Sequence, residues 1–495
     1  MTAATSPPIA ATRQDLRLEP DPSRVVARLF VAGQEVVGGS DARATEVVTR
    51  LLALDEDDVQ ARVEELLVRF AGRHRDLVGT LSHHADRIAN RVPPDVELSE
   101  ERWLLLGATF THEFAVEAAS ICNPSIVAHP DQTSVARGEL KVVLSVRGIG
   151  EGHLSTIGFR TGTVSATGHL EVDTPEPFPT LGTIGPGVFD RAAFHGHLRS
   201  RGRDGESAAF VLDHLGATFT AEELDERLDH LADQGDTRRN ARSTATLLRS
   251  IATRSYHAHF PEDTHISERV LWPATAAESH GMEDARFVRF VDADGSVSYL
   301  ATYTAFDGVD VSQQLLCTTD FLSFDASPMS GPAALGKGLA LFPRRIDGRY
   351  VALSRHDRER NSVARSESLD HWARSTPVQV PREDWEMLQL GNCGSPIETD
   401  KGWLVLTHGV GPMRTYSIGA LLLDLDDPTR VLATMDEPLL TPDPDEQDGY
   451  VPNVLYSCGA LLHGDMLVIP YAMSDRAITV GSVSCSELLD SMRRV

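Results

Sequence analysis

The sequence predicts a mainly β protein: a five-bladed β-propeller with an N-terminal α-helical extension and a helical insertion in its first half. Five apolar, strand-like segments share one pattern, in which a turn glycine precedes the strand and a polar residue ends it. The glycines are Gly138, Gly295, Gly348, Gly402 and Gly464. The last four lie 53, 54 and 62 residues apart. Repeats of about 50 residues built from hairpins are typical of propeller blades.

Each of the five segments is followed by a second strand-like segment, so each repeat contains a hairpin. The first strands lie at 142–147, 299–303, 350–355, 402–408 and 467–471, and the second strands at 155–159, 314–317, 362–364, 416–420 and 478–481. A propeller gathers one strand from each blade around a central axis, so the polar residues that end these strands are expected at one mouth. They are Arg147, Tyr303, Arg355, His408 and the Tyr471/Asp475 region. This set predicts a cationic, hydrogen-bonding pocket with aromatic walls.

The rest of the chain divides by composition and period. The start of the chain is rich in Thr, Ala and Pro and lacks the apolar run of a signal peptide, so we expect a flexible tail over 1–40. Apolar residues recur at helical spacing from Val47 to Phe70, which predicts a helical N-terminal region over 41–112. The propeller, as the catalytic domain, then occupies 113–490.

A long gap between the first two turn glycines predicts an insertion at about 170–255. It begins with a Pro- and Gly-rich stretch and continues with two helical segments, Ala221 to Asp233 and Arg238 to Thr253. A lid and an interface element are both compatible with this pattern. The helical regions are also candidate surfaces for self-association into a homo-oligomer.

Composition narrows the classes of partner. The net charge of -26 disfavours nucleic acid and anionic membranes, because both bind basic surfaces. The sequence contains no run of about 20 apolar residues, so it predicts no membrane span. The five cysteines are odd in number and form no CxxC pair, so the sequence indicates neither a metal site nor a disulfide framework. A reducing cytoplasm is the expected location.

The run Glu283-Asp284-Ala285-Arg286 precedes an apolar strand-like segment and is the leading candidate for chemistry. In an extended chain neighbouring side chains point to opposite faces, so Glu283 and Asp284 are expected to have different roles and Asp284 to share a face with Arg286. A carboxyl group held in a pocket can donate a proton to a leaving group. A surface ion pair at a strand entrance is the alternative.

Other candidates come from separate parts of the chain, each with a structural alternative. Asn123 precedes Pro124, which should hold it extended with its amide free to bind hydroxyls, although Asn-Pro is also a common turn. A loop containing Arg355, Arg358 and Arg360-Asn361 is suited to an anion, or is a solvated basic loop. His408 and Asp475 end strands, where a core histidine and a strand-end cap are the alternatives.

With these residues identified, the chain resembles glycoside hydrolase family 130, the β-mannoside phosphorylases and hydrolases, over roughly 115–490. The resemblance depends on several segments in family order. They are Asn123-Pro124, the Arg147 strand end, Gly281-Met282-Glu283-Asp284-Ala285-Arg286, Leu341-Phe342-Pro343, Gly402-Trp403-Leu404 with His408-Gly409, Tyr416 with Gly419-Ala420 and Leu423-Asp424, and Gly449-Tyr450-Val451-Pro452-Asn453. Together they are highly specific, although no single one is.

The resemblance implies a five-bladed propeller and assigns roles to individual residues. Asp284 falls on the general acid. The implied sugar-binding positions are Asn123, Arg147, Arg286 and Asp475, to which the strand-end pattern adds Tyr303. The implied phosphate-binding positions are Arg355 or the Arg360-Asn361 pair, with His408 and Tyr416. Two departures stand out: Ala285 replaces the usual Pro, and Gln389 occupies a position where a phosphate-binding Lys is usual.

The expected function is that of an inverting phosphorylase that cleaves β-mannosides and releases α-mannose 1-phosphate. It requires no cofactor beyond inorganic phosphate as co-substrate. One alternative is an inverting β-mannosidase, which needs a carboxylate base to activate water; Asp475, Glu386 and Asp448 are the candidates. The other is a non-catalytic mannoside-binding propeller. The loss of the ammonium at Gln389 weakens the phosphorylase interpretation, and the absence of a clear second carboxylate favours it.

Overall fold

The computed structural model describes residues 9–31, 42–200, 202–233, 238 and 240–495. The structure is mainly β, as the sequence predicts. Its contacts divide the chain into two units. One unit comprises 21–118 and 176–180, and the other comprises the remaining described residues.

The first unit consists of four helices and a two-stranded sheet among its described residues. The helices are Ala42–Leu52, Glu56–Phe70, Leu77–Ile88 and Glu100–Thr109, and the strands are Val25–Leu29 and Thr111–Ala115. Ser99 caps the fourth helix by accepting a hydrogen bond from the Arg102 backbone N–H. Apolar helix faces then pack together around buried side chains such as Val48 and Leu106.

The prediction of a flexible tail over 1–40 is wrong for residues 9–31, and the remainder of that range lies outside the described residues. Thr12–Arg13 forms a strand that pairs antiparallel with Ala477–Ser484. The Leu18 backbone N–H donates to Ile478 O at 2.8 Å, and Ile478 N–H donates to Leu18 O at 2.9 Å. The Thr, Ala and Pro composition conceals apolar residues such as Leu16, which packs against a core cluster.

The five predicted hairpins are confirmed as antiparallel strand pairs. They are Leu140–Ile149 with Ser155–Val164, Val297–Phe306 with Val311–Thr318, Tyr350–Ser354 with Asn361–Ser366, Gly402–Val410 with Tyr416–Leu423, and Met466–Met473 with Ala477–Ser484. Each combines β-branched and apolar residues with a turn glycine, which explains why their pattern is legible in the sequence.

Further strands extend these hairpins into sheets. The strands are Ser120–Ala128, Leu170–Val172, Thr180–Leu181, Thr183–Pro186, Tyr256–His259, Arg269–Leu271, Gly281–Val291, Ser323–Pro328, Ala340–Leu341, Ser375–Gln379, Gln389–Asn392, Ile397–Thr399, Val431–Thr434, Leu455–Tyr456, Leu461–His463 and Arg493–Arg494. A short helix, Cys485–Ser491, lies near the C-terminus. The strand Gly281–Val291 is central for function, because it carries the Glu283-Asp284-Ala285-Arg286 run and pairs along its length with Val297–Phe306.

An aromatic cluster lies beneath the strand Gly281–Val291. Phe159 is fully buried and contacts Phe287 and Phe321 edge-on, with ring centroids 5.9 and 5.6 Å apart. Aromatic pairs of this geometry contribute about 0.5–1.5 kcal/mol beyond the burial of their area. The cluster therefore fixes the strand that presents the candidate acid.

The insertion contains four helices and a two-stranded antiparallel sheet among its described residues. The helices are Arg191–Ser200, Glu206–Leu212, Ala221–Asp233 and Ala241–Ala252, and the sheet pairs Val188–Asp190 with Thr218–Thr220. The two helices predicted from the sequence are present, the second beginning at Ala241 instead of Arg238. The other two are short and were not predicted. Buried leucines such as Leu198, Leu228 and Leu248 form a separate apolar core.

Among the residues that the structure describes, every helix is too short or too polar to span a bilayer.

Gly281 begins the strand that carries Asp284, and its replacement by alanine is expected to lower the free energy of unfolding by about 3 kcal/mol. Gly281 has a φ of +139°, and a Cβ there would lie 2.3 Å from Ser155 Oγ and 3.0 Å from Ser155 N. Gly295 is the matched control, because it also has a positive φ, +84°, but no atom lies within 4 Å of an added Cβ. Gly295→Ala should cost only about 1 kcal/mol. Equal losses for both variants in chemical denaturation would contradict the steric explanation.

Candidate functional site

A polar pocket lies at the ends of the predicted strands, within the larger unit. Its lining residues are Asn123, Arg147, Asp284, Lys337, Arg355, Arg414, Tyr416, Val451, Val454, Tyr456 and Asp475. Six of these were singled out from the sequence and come from distant segments. Four lining side chains are cationic and two are carboxylic acids. The pocket is thus a local basic site in a strongly acidic chain.

All three Asn and Asp residues that line the pocket have left-handed backbone conformations. The φ angles are +50° at Asn123, +57° at Asp284 and +50° at Asp475. The first two lie at register shifts in their strands, between Cys122 and Ser125 and between Glu283 and Arg286. Asn and Asp tolerate this region better than other residues with side chains, and such strain is concentrated at functional sites. The prediction that Pro124 keeps Asn123 extended is therefore wrong, because the bulge turns the backbone.

The bulge also changes how Glu283 and Asp284 are presented. The sequence predicts opposite faces, but both carboxylates approach Arg147. Glu283 Oε1 accepts a hydrogen bond from Arg147 Nη2 at 2.7 Å, and Asp284 Oδ1 lies 3.7 Å from Arg147 Nη1. Asn123 Nδ2 donates to the same Asp284 oxygen. The extra residue in the strand breaks the two-residue alternation on which the prediction depended.

The two carboxyl groups of the pocket have pKa values shifted in opposite directions. Burial raises the pKa of Asp284, but the charges of Lys337, Arg147 and Arg286 outweigh it and hold that pKa below its usual range. Burial raises the pKa of Asp475 to about 6, opposed by Arg147 and reinforced by Asp284. Two acids with separated pKa values are a common feature of acid–base catalysts.

Lys337 is a cation that the sequence reasoning missed. Its ammonium pairs with Glu283 Oε2, and its side chain is 37% exposed toward the pocket it lines. The residue lies in a turn between Gly336 and Gly338, at φ +75° and +90°. Asn392 Nδ2 donates to Gly338 O at 2.8 Å and so fixes the turn. A lysine between two glycines was the available sequence signal.

Arg286 supports the pocket from behind. It is 2% exposed and is not among the lining residues. Its Nη1 donates to Asn392 O and Oδ1 at 3.0 and 2.5 Å, and its Nη2 donates to Tyr456 OH at 2.7 Å. These contacts hold Tyr456 and, through Asn392, the Lys337 turn, and the sugar-binding role of Arg286 stays a prediction.

Arg355 and His408 form a pair on another side of the site. Arg355 Nη1 donates to His408 Nε2 at 2.8 Å, so that nitrogen carries no proton. Burial, together with Arg355 and Arg286, lowers the pKa of His408 well below its usual value. The imidazole stacks 5.9 Å from Tyr416, whose hydroxyl accepts a 3.3 Å hydrogen bond from Gln389 Nε2. Neutral His408 thus orients Arg355 toward the pocket.

Besides Arg286 and His408, three predicted site residues do not line the pocket. Tyr303 is buried in an apolar cluster, where its hydroxyl donates to Glu278. Arg360 is held by Asp357 at 2.6 Å, in a tight turn that captures its guanidinium. Asn361 Nδ2 donates to Gln379 Oε1 across the neighbouring strand at 3.0 Å. Of the basic loop, only Arg355 lines the site.

Tyr456 and Arg414 are lining residues that the sequence reasoning also missed. Tyr456 follows shortly after the Gly449-Tyr450-Val451-Pro452-Asn453 segment, which was a usable signal. Arg414 adopts a left-handed φ of +57° in a short turn, and the residue types of that turn do not indicate a functional site.

Several buried polar atoms of the pocket have no hydrogen-bond partner among the described residues. They are Asn123 Oδ1, Arg147 Nε and Arg355 Nε. Unpartnered buried donors and acceptors carry a desolvation cost of about 1–3 kcal/mol each. Their concentration around one pocket is typical of a ligand site.

The chain is similar to a protein-family model, to characterised relatives and to solved structures. The model for glycoside hydrolase family 130, described as beta-1,4-mannooligosaccharide phosphorylase, matches residues 255–494. The 1,2-β-oligomannan phosphorylase of Thermoanaerobacter sp. (strain X514) is 31% identical over 227 residues, which cover 45% of this chain and 75% of that protein. The β-1,2-mannobiose phosphorylase of Listeria innocua serovar 6a is 30% identical over 236 residues, 45% of this chain and 63% of that protein. The solved complex of the β-1,2-mannobiose phosphorylase from Listeria innocua has a TM-score of 0.47 at 18% identity, covering 77% of this chain and 93% of that chain.

The acidic and cationic pocket, together with these sequence relatives, defines a carbohydrate-active enzyme. The chain belongs to glycoside hydrolase family 130.

Because His408 is neutral in the folded protein, it should make stability fall as the pH falls below about 6.5. In the unfolded chain its pKa returns to about 6.5, so the unfolded state binds more protons below that pH. The expected loss from this residue is about 1.4 kcal/mol per pH unit. His408→Gln removes the titration, so its stability deficit relative to the parent should shrink between pH 7 and pH 5 in urea denaturation. A deficit that stays constant with pH would contradict the neutral, buried imidazole.

Proposed function

We propose that this chain is an inverting phosphorylase that cleaves β-mannosides and releases α-mannose 1-phosphate. One observation carries the proposal: four cationic side chains share a pocket with Asp284 in a chain of net charge -26. Such local basicity has to be built against the field of the whole protein and suits an anionic co-substrate. The relatives named as mannoside phosphorylases supply the sugar class.

We further propose that the sheets form a five-bladed propeller. The five hairpins lie in four sheets, the first two sharing one 12-stranded sheet, and the pocket takes a residue from each hairpin or from a strand paired with it. Thr12–Arg13 adds the N-terminal segment to the last set. A propeller accounts for both features, since its blades surround one axis and its ends are joined within one blade.

In the proposed reaction, Asp284 donates a proton to the oxygen of the leaving sugar, directly or through a substrate hydroxyl, as the bond from C1 to that oxygen breaks. A phosphate oxygen attacks C1 from the opposite face and forms the new bond. Lys337 and Arg355 bind the phosphate, with Tyr416 beside them. Phosphate is itself a nucleophile, so the reaction needs no second protein carboxylate.

Lys337 provides the pocket with the lysine that is missing at position 389. The usual lysine is absent at Gln389, whose amide instead bonds Tyr416. The ammonium of Lys337 lines the same pocket from a different segment. The proposed anion site therefore retains a lysine in addition to Arg355.

Hydrolysis is the second candidate, and Asp475 is the observation that favours it. Its pKa of about 6 and its place in the pocket suit a base that activates water. A third candidate, mannoside binding without turnover, has the unpartnered polar atoms in its favour but leaves the acid unexplained.

The free thiols of all five cysteines support a reducing, cytoplasmic location as part of this proposal.

The deciding experiment incubates β-1,2- and β-1,4-linked mannooligosaccharides with the protein, with and without phosphate, and follows mannose 1-phosphate by phosphorus NMR. We expect phosphate-dependent formation of the α anomer, reduced about 10²–10⁴-fold in Asp284→Asn. Free mannose released equally without phosphate would identify a hydrolase. No product with any sugar would favour the binding protein.

Lys337→Ala is expected to raise the KM for phosphate by about tenfold or more with a smaller change in kcat. A charge-assisted hydrogen bond contributes about 1.5–3 kcal/mol, and 1.4 kcal/mol corresponds to a factor of ten. Lys401→Ala is the matched control, because Lys401 pairs with Asp490 on the surface, away from the lining residues. Similar phosphate kinetics in the two variants would exclude Lys337 from the anion site.

A further inference from the structure

Glu283 joins two cations of the pocket without lining it. One carboxylate oxygen accepts a 2.7 Å hydrogen bond from Arg147 Nη2, and the other pairs with Lys337 Nζ. Its side chain is only 10% exposed. Both partners are lining residues, and they come from segments 190 residues apart in sequence. A bridge of this kind fixes the positions of both cations relative to the strand that carries Asp284.

The bridge also determines the charge that Asp284 experiences. Asp284 is the next residue along the chain, and Arg147 lies 3.7 Å from its Oδ1. With Glu283 in place, one buried negative charge offsets the two positive charges of Arg147 and Lys337. Without it, both cations would act on Asp284 uncompensated, and a carboxyl surrounded by excess positive charge releases its proton.

We propose that Glu283 is a positioning residue, which holds Lys337 and Arg147 in the pocket and offsets part of their charge, so that Asp284 keeps its catalytic proton to a higher pH than it would beside the two cations alone. The proposal goes beyond the phosphorylase function and uses it only through the role of Asp284 as acid. It assigns the two adjacent carboxyl groups of the strand different tasks. Asp284 donates its proton to the substrate, and Glu283 binds the two cations.

The other charged and titratable groups around Asp284 come from several elements. They are Arg147, Arg286, Lys337, Asp475, Tyr456, Cys122 and Cys458. Of these groups, the variants compared below change only Lys337. Differences in pH profile between the variants therefore result from the loss of the Glu283 bridge, because phosphate itself titrates in the same way in every assay.

Glu283→Gln keeps the size of the side chain and removes its charge. The decline of kcat/KM at high pH should occur about one to two pH units lower than in the parent, because Asp284 loses its proton at a lower pH. Lys337→Met should move this decline to higher pH, and the double variant should return it toward the pH of the parent. Glu398→Gln, which disrupts an exposed pair with Arg344, is the matched control and should leave the profile unchanged.

A second readout does not depend on turnover. In protein labelled with ¹³C at the aspartate carboxyl carbons, the Asp284 signal is assigned by its loss in Asp284→Asn. Its titration should move to lower pH in Glu283→Gln and to higher pH in Lys337→Met. If no β-mannoside is cleaved, the proposed function fails while this titration still tests Glu283.

The proposal would be overturned if Glu283→Gln shows a cooperative thermal unfolding transition, and so is folded, while its Asp284 titrates as in the parent. Should that variant not fold, Lys337→Met decides: an unchanged Asp284 titration would show that the bridge does not set the charge at the acid.

Discussion

A β-bulge in the strand Gly281–Val291 is the constraint on which the site depends. It places Asp284 in a left-handed conformation within a buried strand, which costs roughly 1–3 kcal/mol. Arg147 and Asn123 contact its carboxylate and offset that cost. Without the bulge, Glu283 and Asp284 would point to opposite faces, and a single arginine would not meet both.

Charge follows from the same geometry. Burying several cations is unfavourable unless anions and hydrogen bonds accompany them. Several groups provide this compensation. Glu283 pairs with Arg147 and Lys337, and Arg286 donates hydrogen bonds to Asn392 and Tyr456. Arg355 instead relies on neutral His408. The cations that face the pocket thus keep charge available for a ligand, whereas both terminal nitrogens of Arg286 behind it donate to the protein.

Sequence reasoning succeeded where the signal is local and failed where it depends on register. The hairpins have a two-residue period and turn glycines, so they were predictable, and Arg147 and Arg355 followed from them. Tyr303 has the same strand-end pattern but faces the core, because a shift of one residue reverses the face of a strand. Lys337 lies in a turn and carries no strand signal. The bulge at Asp284 depends on pairing with a strand that the local residues do not reveal.

The pairing of Thr12–Arg13 with Ala477–Ser484 has a consequence for biosynthesis. Leu16 O accepts a hydrogen bond from Thr479 Oγ1, a contact between residues 463 positions apart. On the ribosome the early segment emerges first and must wait until its partner, 463 positions later, has been made. This sheet is therefore completed only after Ala477–Ser484 has been made, and until then Thr12–Arg13 lacks its strand partner. During that interval the early segment is open to misassociation with other chains in the cell.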